Sequence, residues 1–231
     1  MLEVRDVTSG YGEASVLRDV SFAVSPGEIH CLMGRNGAGK TTSLQTIMGL
    51  LPLQSGEVTL DGQSLAQFAA HEVPLNGLGY VPQGRRLFAG LTVSENLDVA
   101  LRTHRSQATL REEVLDLFPR LRDRLGQSAE TLSGGEQQML ATARALCLKP
   151  KVILLDEPTE GLQPSVIETI QNVIVAARDR GLAVLLVEQR IDAVLSLADR
   201  VTFIENGRSM QTLPIANLRK DRSPFSTYLG V

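Results

Sequence analysis

The chain has 231 residues, of which 43% are hydrophobic and 21% are charged, and these proportions exclude a disordered or collagen-like chain. Its 23 basic and 26 acidic residues give a formal net charge of -3, so the composition supplies no excess of cations for nucleic-acid phosphates. We therefore expect an ordinary globular domain with no nucleic-acid partner.

The N-terminal part of the chain is predicted to be antiparallel β structure. Short alternating runs fill residues 1–32, and they show none of the basic head and continuous apolar segment of a secretory signal. Ser25-Pro26-Gly27 separates two apolar runs and predicts a hairpin turn. Cys31 and the distant Cys147 stand among apolar residues, so we expect packed thiols in a reducing compartment.

A glycine-rich loop follows Met33 and precedes a predicted helix over 41–50. The sequence Gly34-Arg35-Asn36-Gly37-Ala38-Gly39-Lys40-Thr41 fits the pattern GxxxxGK[ST], in which backbone N–H groups surround phosphates, the lysine reaches the β and γ oxygens, and the threonine hydroxyl meets Mg²⁺. A chance match occurs in about 1 of 100 chains of this size. The strand before and the helix after favour a phosphate site, because a helix N-terminus attracts anions.

The middle of the chain mixes short elements. A second hairpin is expected over 56–65 around Asp61-Gly62, and a strand over 79–81 is stopped by Pro82. A helical, charge-rich stretch over 111–125 is interrupted at Pro119.

The second half alternates strand and helix more strictly. Helices are expected at about 135–148, 164–180 and up to about 198, with strands over 152–155 and 183–187, which predicts a parallel sheet covered by helices. The longest apolar runs, such as 182–187, are far shorter than the ~20 residues of a membrane span. A closing hairpin is expected over 201–204 and beyond, and the tail from Leu218 is polar and of uncertain order.

Two adjacent acids follow the predicted strand over 152–155. Asp156 and Glu157 would lie at the carboxyl end of a buried strand, where α/β sheets bind ligands. In that place Asp156 would hold Mg²⁺, mostly through water, and Glu157 would polarise the water that attacks a γ-phosphate. An isolated Asp-Glu-Pro is more often a solvated turn, but the glycine-rich loop reverses that preference.

A third motif precedes the helix expected from about residue 135. It is formed by Leu132, Ser133, Gly134, Gly135, Glu136 and Gln137. Ser133 followed by Glu136 is a capping box, which explains both residues as a helix start. The glycine pair is unfavourable there unless the backbone approaches something closely, and a second nucleotide's γ-phosphate at this helix N-terminus would supply the reason.

At these residues the chain resembles the ATP-binding subunits of ABC transporters over nearly its whole length. The resemblance implies a single α/β domain over 1–231: a P-loop ABC nucleotide-binding domain with a mostly parallel core sheet, an N-terminal antiparallel β subdomain, a helical signature subdomain at about 84–145 and a C-terminal tail at about 218–231. It implies an ATPase that binds ATP and Mg²⁺. It also implies a head-to-tail dimer in which two segments enclose one ATP. One segment is Gly34 to Thr42 of one subunit, and the other is Leu132 to Gln137 of its partner.

The resemblance assigns further roles. Tyr11 resembles the aromatic residue that stacks on adenine, with Val16 beside it, and Gln83 resembles the glutamine that senses Mg²⁺ and the attacking water. The implied ATP-binding residues are therefore Tyr11, Val16, Gly34, Arg35, Asn36, Gly37, Ala38, Gly39, Lys40, Thr41 and Thr42, and the implied metal residues are Thr41, Gln83 and Asp156. The segment after Gln83 resembles the surface that receives a permease. Its apolar residues Leu87, Phe88 and Leu91 would contact the permease there, although core packing explains each of them equally well.

Two positions depart from the family pattern. Gln163 stands where the family usually has an aspartate, and Gln189 stands where it usually has a histidine. His30, His71 and His104 all precede the signature, so none can take that place. A glutamine amide can donate a hydrogen bond to a γ-phosphate but cannot titrate near pH 7. Glu157 is therefore the expected catalytic carboxylate, with Gln189 as a γ-phosphate contact and slower hydrolysis as a consequence.

The details narrow the resemblance to importer ATPases. Four segments resemble the second ATPase of branched-chain amino acid importers: the residues around Gln83, the run 91–97, the run 156–164 and the ending Tyr228-Leu229-Gly230. Some of these residues also resemble a urea importer subunit. This implies a partner ATPase in a heterodimer, two membrane permeases, a periplasmic solute-binding protein and a position on the cytoplasmic face of the inner membrane. The alternatives are the ATPase of a urea or short-amide importer or of another importer, a lipid-export ATPase, and a non-transport ABC ATPase such as an iron–sulfur assembly factor.

Overall fold

Two β-sheets organise the fold. The computed structural model describes residues 1–102 and 107–230. In this part of the chain the strands are β1 (Leu2–Tyr11), β2 (Ala14–Val24), β3 (Ile29–Met33), β4 (Leu53–Leu60), β5 (Gln63–Ser64), β6 (Leu78–Val81), β7 (Val152–Asp156), β8 (Ala183–Val187), β9 (Arg200–Glu205) and β10 (Arg208–Pro214). The helices are α1 (Lys40–Ile47), α2 (Val93–Leu101), α3 (Gln107–Leu117), α4 (Pro119–Arg122), α5 (Gly134–Leu146), α6 (Pro164–Asp179), α7 (Ile191–Leu197), α8 (Ile215–Lys220) and α9 (Ser223–Leu229).

The first sheet is antiparallel and the second is mostly parallel. The first has the order β2-β1-β4-β5, and the second has the order β10-β9-β3-β8-β7-β6. Strands β9, β3, β8, β7 and β6 run parallel, and only the edge strand β10 is antiparallel to its neighbour among the described residues. The predicted α/β class, with an N-terminal antiparallel sheet and a mostly parallel core, is confirmed.

The parallel strands are the core of the molecule. Every residue of β3, β7 and β8 is buried, because these central strands are covered on both faces. Cys31 and Cys147 are buried and free, as expected. Burial raises the pKa of the Cys147 thiol to about 12, so both cysteines are packed apolar groups.

The hairpin expected at Ser25-Pro26-Gly27 is wrong. Strand β2 belongs to the first sheet, whereas β3 lies at the centre of the second sheet between β8 and β9. The turn therefore carries the chain from one sheet to the other. The reason is the apolar character of β3: all five of its residues are buried, and a hairpin with β2 would leave one of its faces uncovered.

The sequence analysis did not find helix α2. Its signal is present, since Thr92 caps the helix: its side chain accepts a hydrogen bond from the Glu95 N–H, and its backbone N–H donates to the Glu95 carboxylate. This is the same capping box that marks α5 at Ser133 and Glu136. The predicted helical subdomain at 84–145 contains α2 to α5, and its residues 103–106, with His104, lie outside the described residues.

The tail from Leu218 is ordered, contrary to its polar appearance. Leu218 and Phe225 are buried, and helix α9 packs against β9. Phe225 lies edge-on to Phe203 with ring centroids 5.8 Å apart, and Tyr228 stacks on Phe203 with 4.8 Å between ring centroids. These ring contacts, together with the buried Leu218, hold a segment that is otherwise mostly polar. Residue 231 lies outside the described part.

Replacing Phe225 by Ala is expected to lower the free energy of unfolding by about 3 to 5 kcal/mol, because it removes a buried ring and leaves a cavity beside Phe203. Urea denaturation followed by circular dichroism measures this loss. The exposed Met210 provides the matched control, since its replacement by Ala is expected to change stability by less than about 0.5 kcal/mol. A Phe225→Ala chain as stable as its parent would contradict the docking of α9.

Among the described helices, none combines the length and the apolar character that crossing a bilayer requires.

Candidate functional site

The carboxyl ends of four parallel strands meet at one edge of the second sheet. Strand β3 leads into Gly34, β6 into Pro82 and Gln83, β7 ends at Asp156, and β8 leads into Glu188. The register places Leu32 and Asp156 on either side of Val187, so these ends lie level with one another. A doubly covered parallel sheet binds its ligands at this edge.

A cavity of about 400 Å³ opens at this edge and gathers much of the predicted site. Its lining is formed by Val16, Asn36, Gly37, Gly39, Lys40, Thr41, Thr42, Gln83, Glu157, Glu160 and Gln189. The structure thus brings together residues from five separate parts of the sequence. Glu160 is a lining residue that the sequence analysis did not single out.

The glycine-rich loop is shaped by two close constraints. A Cβ on Gly34 would lie 2.2 Å from the backbone oxygen of Ile204 in β9, so only glycine fits there. Gly39 has a φ of 113°, a left-handed conformation that favours glycine, and it immediately precedes helix α1. Together they place the N-terminus of α1 at the cavity, where its free N–H groups attract anions.

The side chain of Lys40 is hydrogen-bonded to the backbone of the glycine-rich loop. Its ammonium donates to the backbone oxygens of Gly34 (2.7 Å) and Arg35 (3.0 Å), and the residue is 6% exposed. Burial lowers the pKa of Lys40, and the negative charges of Glu157 and Asp156 oppose this change. The lysine therefore has neutral partners in the loop that an anionic phosphate can replace.

Asp156 and Thr41 form the part of the site that fits a divalent cation. The Thr41 hydroxyl donates to Oδ1 of Asp156 over 3.1 Å, while Oδ2 of Asp156 is buried and has no hydrogen-bond partner in the described structure. Burial raises the pKa of Asp156, and the hydrogen bond from Thr41 opposes that rise. A buried carboxylate oxygen beside a hydroxyl is the donor set that Mg²⁺ takes, so these residues fit the expected cation.

Glu157 and Gln189 are in contact across the cavity. Glu157 has a φ of 49°, and its backbone N–H donates to the Val187 oxygen over 3.0 Å, which fixes the turn against β8. The side-chain amide of Gln189 donates to the Glu157 carboxylate. Gln83 lies nearby and donates to the Glu160 carboxylate over 2.8 Å.

The predicted adenine contact lies apart from this cavity. Tyr11 is 53% exposed, and its hydroxyl donates to the side chain of Gln45 over 2.9 Å. Val16 does line the cavity. Arg35 and Ala38 instead line a smaller cavity of about 180 Å³ behind the loop, together with Tyr228 of α9. The nucleotide contacts of Tyr11, Arg35 and Ala38 stay predictions.

The signature residues Leu132 to Gln137 are absent from the lining of the 400 Å³ cavity as the described residues form it. Ser133 caps α5, and Glu136 bonds both to Ser133 and to Arg124 Nε (2.6 Å), which lowers the pKa of Glu136. The Gln137 amide accepts from Arg85 over 3.0 Å and donates to the oxygens of two preceding residues. The capping role is therefore present, and contact with a partner's ATP stays a prediction.

The glycine pair has an explanation within the chain, which the sequence analysis did not foresee. A Cβ on Gly135 would lie 2.8 Å from Cγ2 of Val166 in α6, and one on Gly134 would lie 2.9 Å from the guanidinium of Arg85. A β-branched valine cannot swing aside easily. The close approach expected at Gly135 is therefore made by Val166 within the chain, and the approach of a partner's nucleotide stays a prediction.

Replacing Gly135 by Ala is expected to destabilise the chain by about 1 to 3 kcal/mol, because the new methyl group collides with Val166. If the glycine serves packing alone, the double variant Gly135→Ala with Val166→Ala recovers both stability and ATP turnover. If a partner's nucleotide also needs the bare backbone, stability returns and turnover does not. Chemical denaturation and phosphate release separate these two results.

The surface after Gln83 is built around a buried asparagine. The amide of Asn96, which is fully buried, donates to the backbone oxygens of Phe88 (3.0 Å) and Leu91 (3.2 Å) and accepts from the Phe88 N–H. Leu87 packs against the core, whereas Phe88 is 48% exposed with the Arg144 guanidinium 5.0 Å from its ring centre. Phe88 is therefore the residue of this segment that presents an apolar face outward.

Comparisons with known proteins agree with this geometry. Residues 17–160 match the family model described as ABC transporter. The chain is 43% identical over 232 residues to the high-affinity branched-chain amino acid transport ATP-binding protein BraG of Pseudomonas aeruginosa, covering 100% of both chains. It is 40% identical over 211 residues to the probable branched-chain amino acid transport ATP-binding protein LivF of Archaeoglobus fulgidus, covering 90% of this chain and 89% of that protein.

More distant relatives also match over nearly their whole length. The lipopolysaccharide export system ATP-binding protein LptB of Escherichia coli is 34% identical over 236 residues, covering 99% of this chain and 97% of that protein. A solved structure of an ATP binding subunit of an ABC transporter superposes with a TM-score of 0.85 at 29% identity, covering 96% of this chain and 93% of that one. The fold described above is thus the one found in that solved structure.

Proposed function

The chain belongs to the ABC transporter family and is an ATPase of that family, and from this premise we propose that it powers an importer of branched-chain or other hydrophobic amino acids. The observation that supports this substrate class is the 43% identity to BraG over the full length of both chains. Identity to the lipopolysaccharide export protein is lower, at 34%. No residue of the ATP site would touch the transported solute.

The site residues divide the work of binding. The N–H groups at the start of α1 and the Lys40 ammonium would hold the β- and γ-phosphates, and Lys40 would exchange its bonds to Gly34 and Arg35 for phosphate oxygens. Thr41 and Asp156 would hold Mg²⁺, with Gln83 beside them. The cation would supply positive charge that stabilises ADP as the leaving group.

Glu157 would orient and polarise the attacking water. Its turn is fixed to β8, and its carboxylate reaches into the cavity that holds Lys40 and Thr41. Gln189, which contacts the Glu157 carboxylate, would turn its amide toward the γ-phosphate. Since an amide cannot take up the proton that a histidine could, the proton lost by water would pass to Glu157 alone.

The remaining predicted contacts require other subunits. Residues 132–137 would meet the ATP held by a second ABC ATPase, and a heterodimer is the expected form in the complex. Phe88 would enter a membrane permease, which is consistent with its exposure beside Arg144. The chain would then lie on the cytoplasmic face of the inner membrane, with a periplasmic solute-binding protein acting through two permeases.

Affinity purification of the tagged chain from its native membranes tests this proposal. Mass spectrometry is expected to identify a second ABC ATPase and two permeases, and the reconstituted complex is expected to hydrolyse ATP faster with its solute-binding protein and leucine than with urea. A Lys40→Ala chain is the control: it should retain the partners and lose the stimulation. Stimulation by urea alone, copurification with lipid-export components, or capture of soluble iron–sulfur assembly factors would each contradict the amino-acid proposal.

A further inference from the structure

A buried carboxylate lies directly behind the predicted catalytic pair. Glu188 follows β8 and is 4% exposed. Its Oε2 accepts the hydroxyl proton of Thr159 over 2.5 Å. Its Oε1 accepts the backbone N–H groups of Gln189 (2.8 Å) and Arg190 (3.0 Å). The side chain is therefore bonded on both oxygens, to two different loops.

The partners of Glu188 explain why a carboxylate stands there. All three are neutral donors, and an ionised carboxylate accepts at both oxygens. A glutamine would accept from the two backbone N–H groups but would face the Thr159 hydroxyl with its amide, so that hydroxyl would lose its acceptor. Burying a charge whose three bonding partners are all neutral is costly. An apolar side chain would fill the same space without that cost, so packing alone does not explain Glu188.

The two loops that Glu188 joins carry Glu157 and Gln189. Thr159 is 3% exposed and follows Glu157 by two residues in the same turn, which is also attached by the bond from the Glu157 N–H to the Val187 oxygen. Gln189 is the next residue after Glu188, and its amide contacts the Glu157 carboxylate. The bonds thus form a closed loop from Glu157 through Thr159, Glu188 and Gln189 back to Glu157.

We propose that Glu188, acting through Thr159, is a positioning residue for hydrolysis that fixes the distance between Gln189 and the Glu157 carboxylate. The inference rests on the roles proposed above for Glu157 and Gln189. Because Glu188 lies behind these residues and does not line the cavity, it would act on the chemical step and leave ATP binding unchanged.

Two matched substitutions at Thr159 test the link. Thr159→Val keeps the side-chain shape and removes the hydroxyl, whereas Thr159→Ser keeps the hydroxyl. In the complex assembled with its partner subunits, Thr159→Val and Glu188→Gln are expected to lower kcat for ATP about tenfold at an unchanged KM. Thr159→Ser is expected to stay within about twofold of the parent. Melting temperatures and the number of nucleotide sites per chain, measured on the same samples, correct for any unfolded fraction.

The background of a Gln189→Ala variant separates positioning from general structural support. If Glu188 acts through Gln189, Glu188→Gln adds little further loss of kcat there, whereas a structural defect would lower kcat by the same factor in both backgrounds. The proposal is overturned by equal losses in both backgrounds, or by parental kcat in both Thr159→Val and Glu188→Gln. Glu157→Gln is measured alongside, because parental turnover in that variant would refute the catalytic role itself.

Discussion

Replacing Glu157 by Gln is expected to reduce ATP turnover by about a thousandfold while ATP affinity stays within about twofold of the parent. The substitution keeps the size of the side chain and removes the charge that would take the proton from water in the proposed mechanism. The turn should be unaffected, since it is held by the backbone bond from Glu157 to Val187 and by Thr159 on Glu188. Phosphate release and equilibrium binding of a fluorescent ATP analogue measure the two quantities.

An exposed glutamate on helix α6 supplies the matched control for this experiment. Glu168→Gln removes the same charge from an exposed residue that does not line the cavity, and it is expected to leave turnover at the parental value. Turnover of Glu157→Gln within a few-fold of the parent would remove Glu157 from the proposed role. Equal loss of binding and turnover would instead assign it to holding the nucleotide.

The sequence was sufficient to predict the position of those elements whose local geometry is set by a short pattern. The glycine-rich loop between a strand and a helix, the acids at the end of β7 and the capping box at Ser133 each predicted a place that the structure confirms. These patterns succeed because their geometry is set within about ten residues. Family resemblance then assigned chemistry to them, and the cavity gathers Lys40, Thr41, Gln83, Glu157 and Gln189.

Features that depend on distant contacts were missed or misjudged. The turn at Ser25-Pro26-Gly27 has hairpin composition, yet the neighbours of β3 are 150 or more residues away in the sequence. The polar tail is ordered by Phe225 and Tyr228 on Phe203. Gly135 lacks a side chain because Val166, some thirty residues later, packs against its backbone. No local pattern contains these partners, so the sequence predicted a hairpin, an uncertain tail and a glycine pair explained by a partner's nucleotide alone.

The pairing of Thr159 with Glu188 is a further case, and it had a weak signal. Glu188 follows a fully buried strand and precedes Gln189, so burial of a charged residue could have been suspected from the pattern. Its partner Thr159 could not have been predicted from the pattern, because Thr159 lies in the loop after β7 and Glu188 follows β8. The helix α2 cap at Thr92 and Glu95, in contrast, could have been found by the rule already applied at Ser133.

Replacing Asp156 by Asn is expected to stabilise the nucleotide-free chain and to abolish Mg²⁺-dependent turnover. Asp156 is 1% exposed, and its Oδ2 is buried with no hydrogen-bond partner among the described residues, so the ionised carboxylate destabilises the fold until a cation neutralises it. The amide removes this charge and keeps the oxygen that accepts from Thr41. A gain of about 1 to 3 kcal/mol is expected, which corresponds to about 2 to 10 °C in the melting temperature.

The magnesium response makes the two effects separable. In the parent, ATP with Mg²⁺ is expected to raise the melting temperature more than ATP with EDTA, because the cation binds the folded state through Asp156 and Thr41. In Asp156→Asn that difference should vanish, and turnover should fall by about a thousandfold. Thr41→Ser, which retains the hydroxyl, is the matched variant that should keep the difference. An undiminished magnesium response in Asp156→Asn would place the cation on other residues, and the buried oxygen would then need a water molecule as its partner.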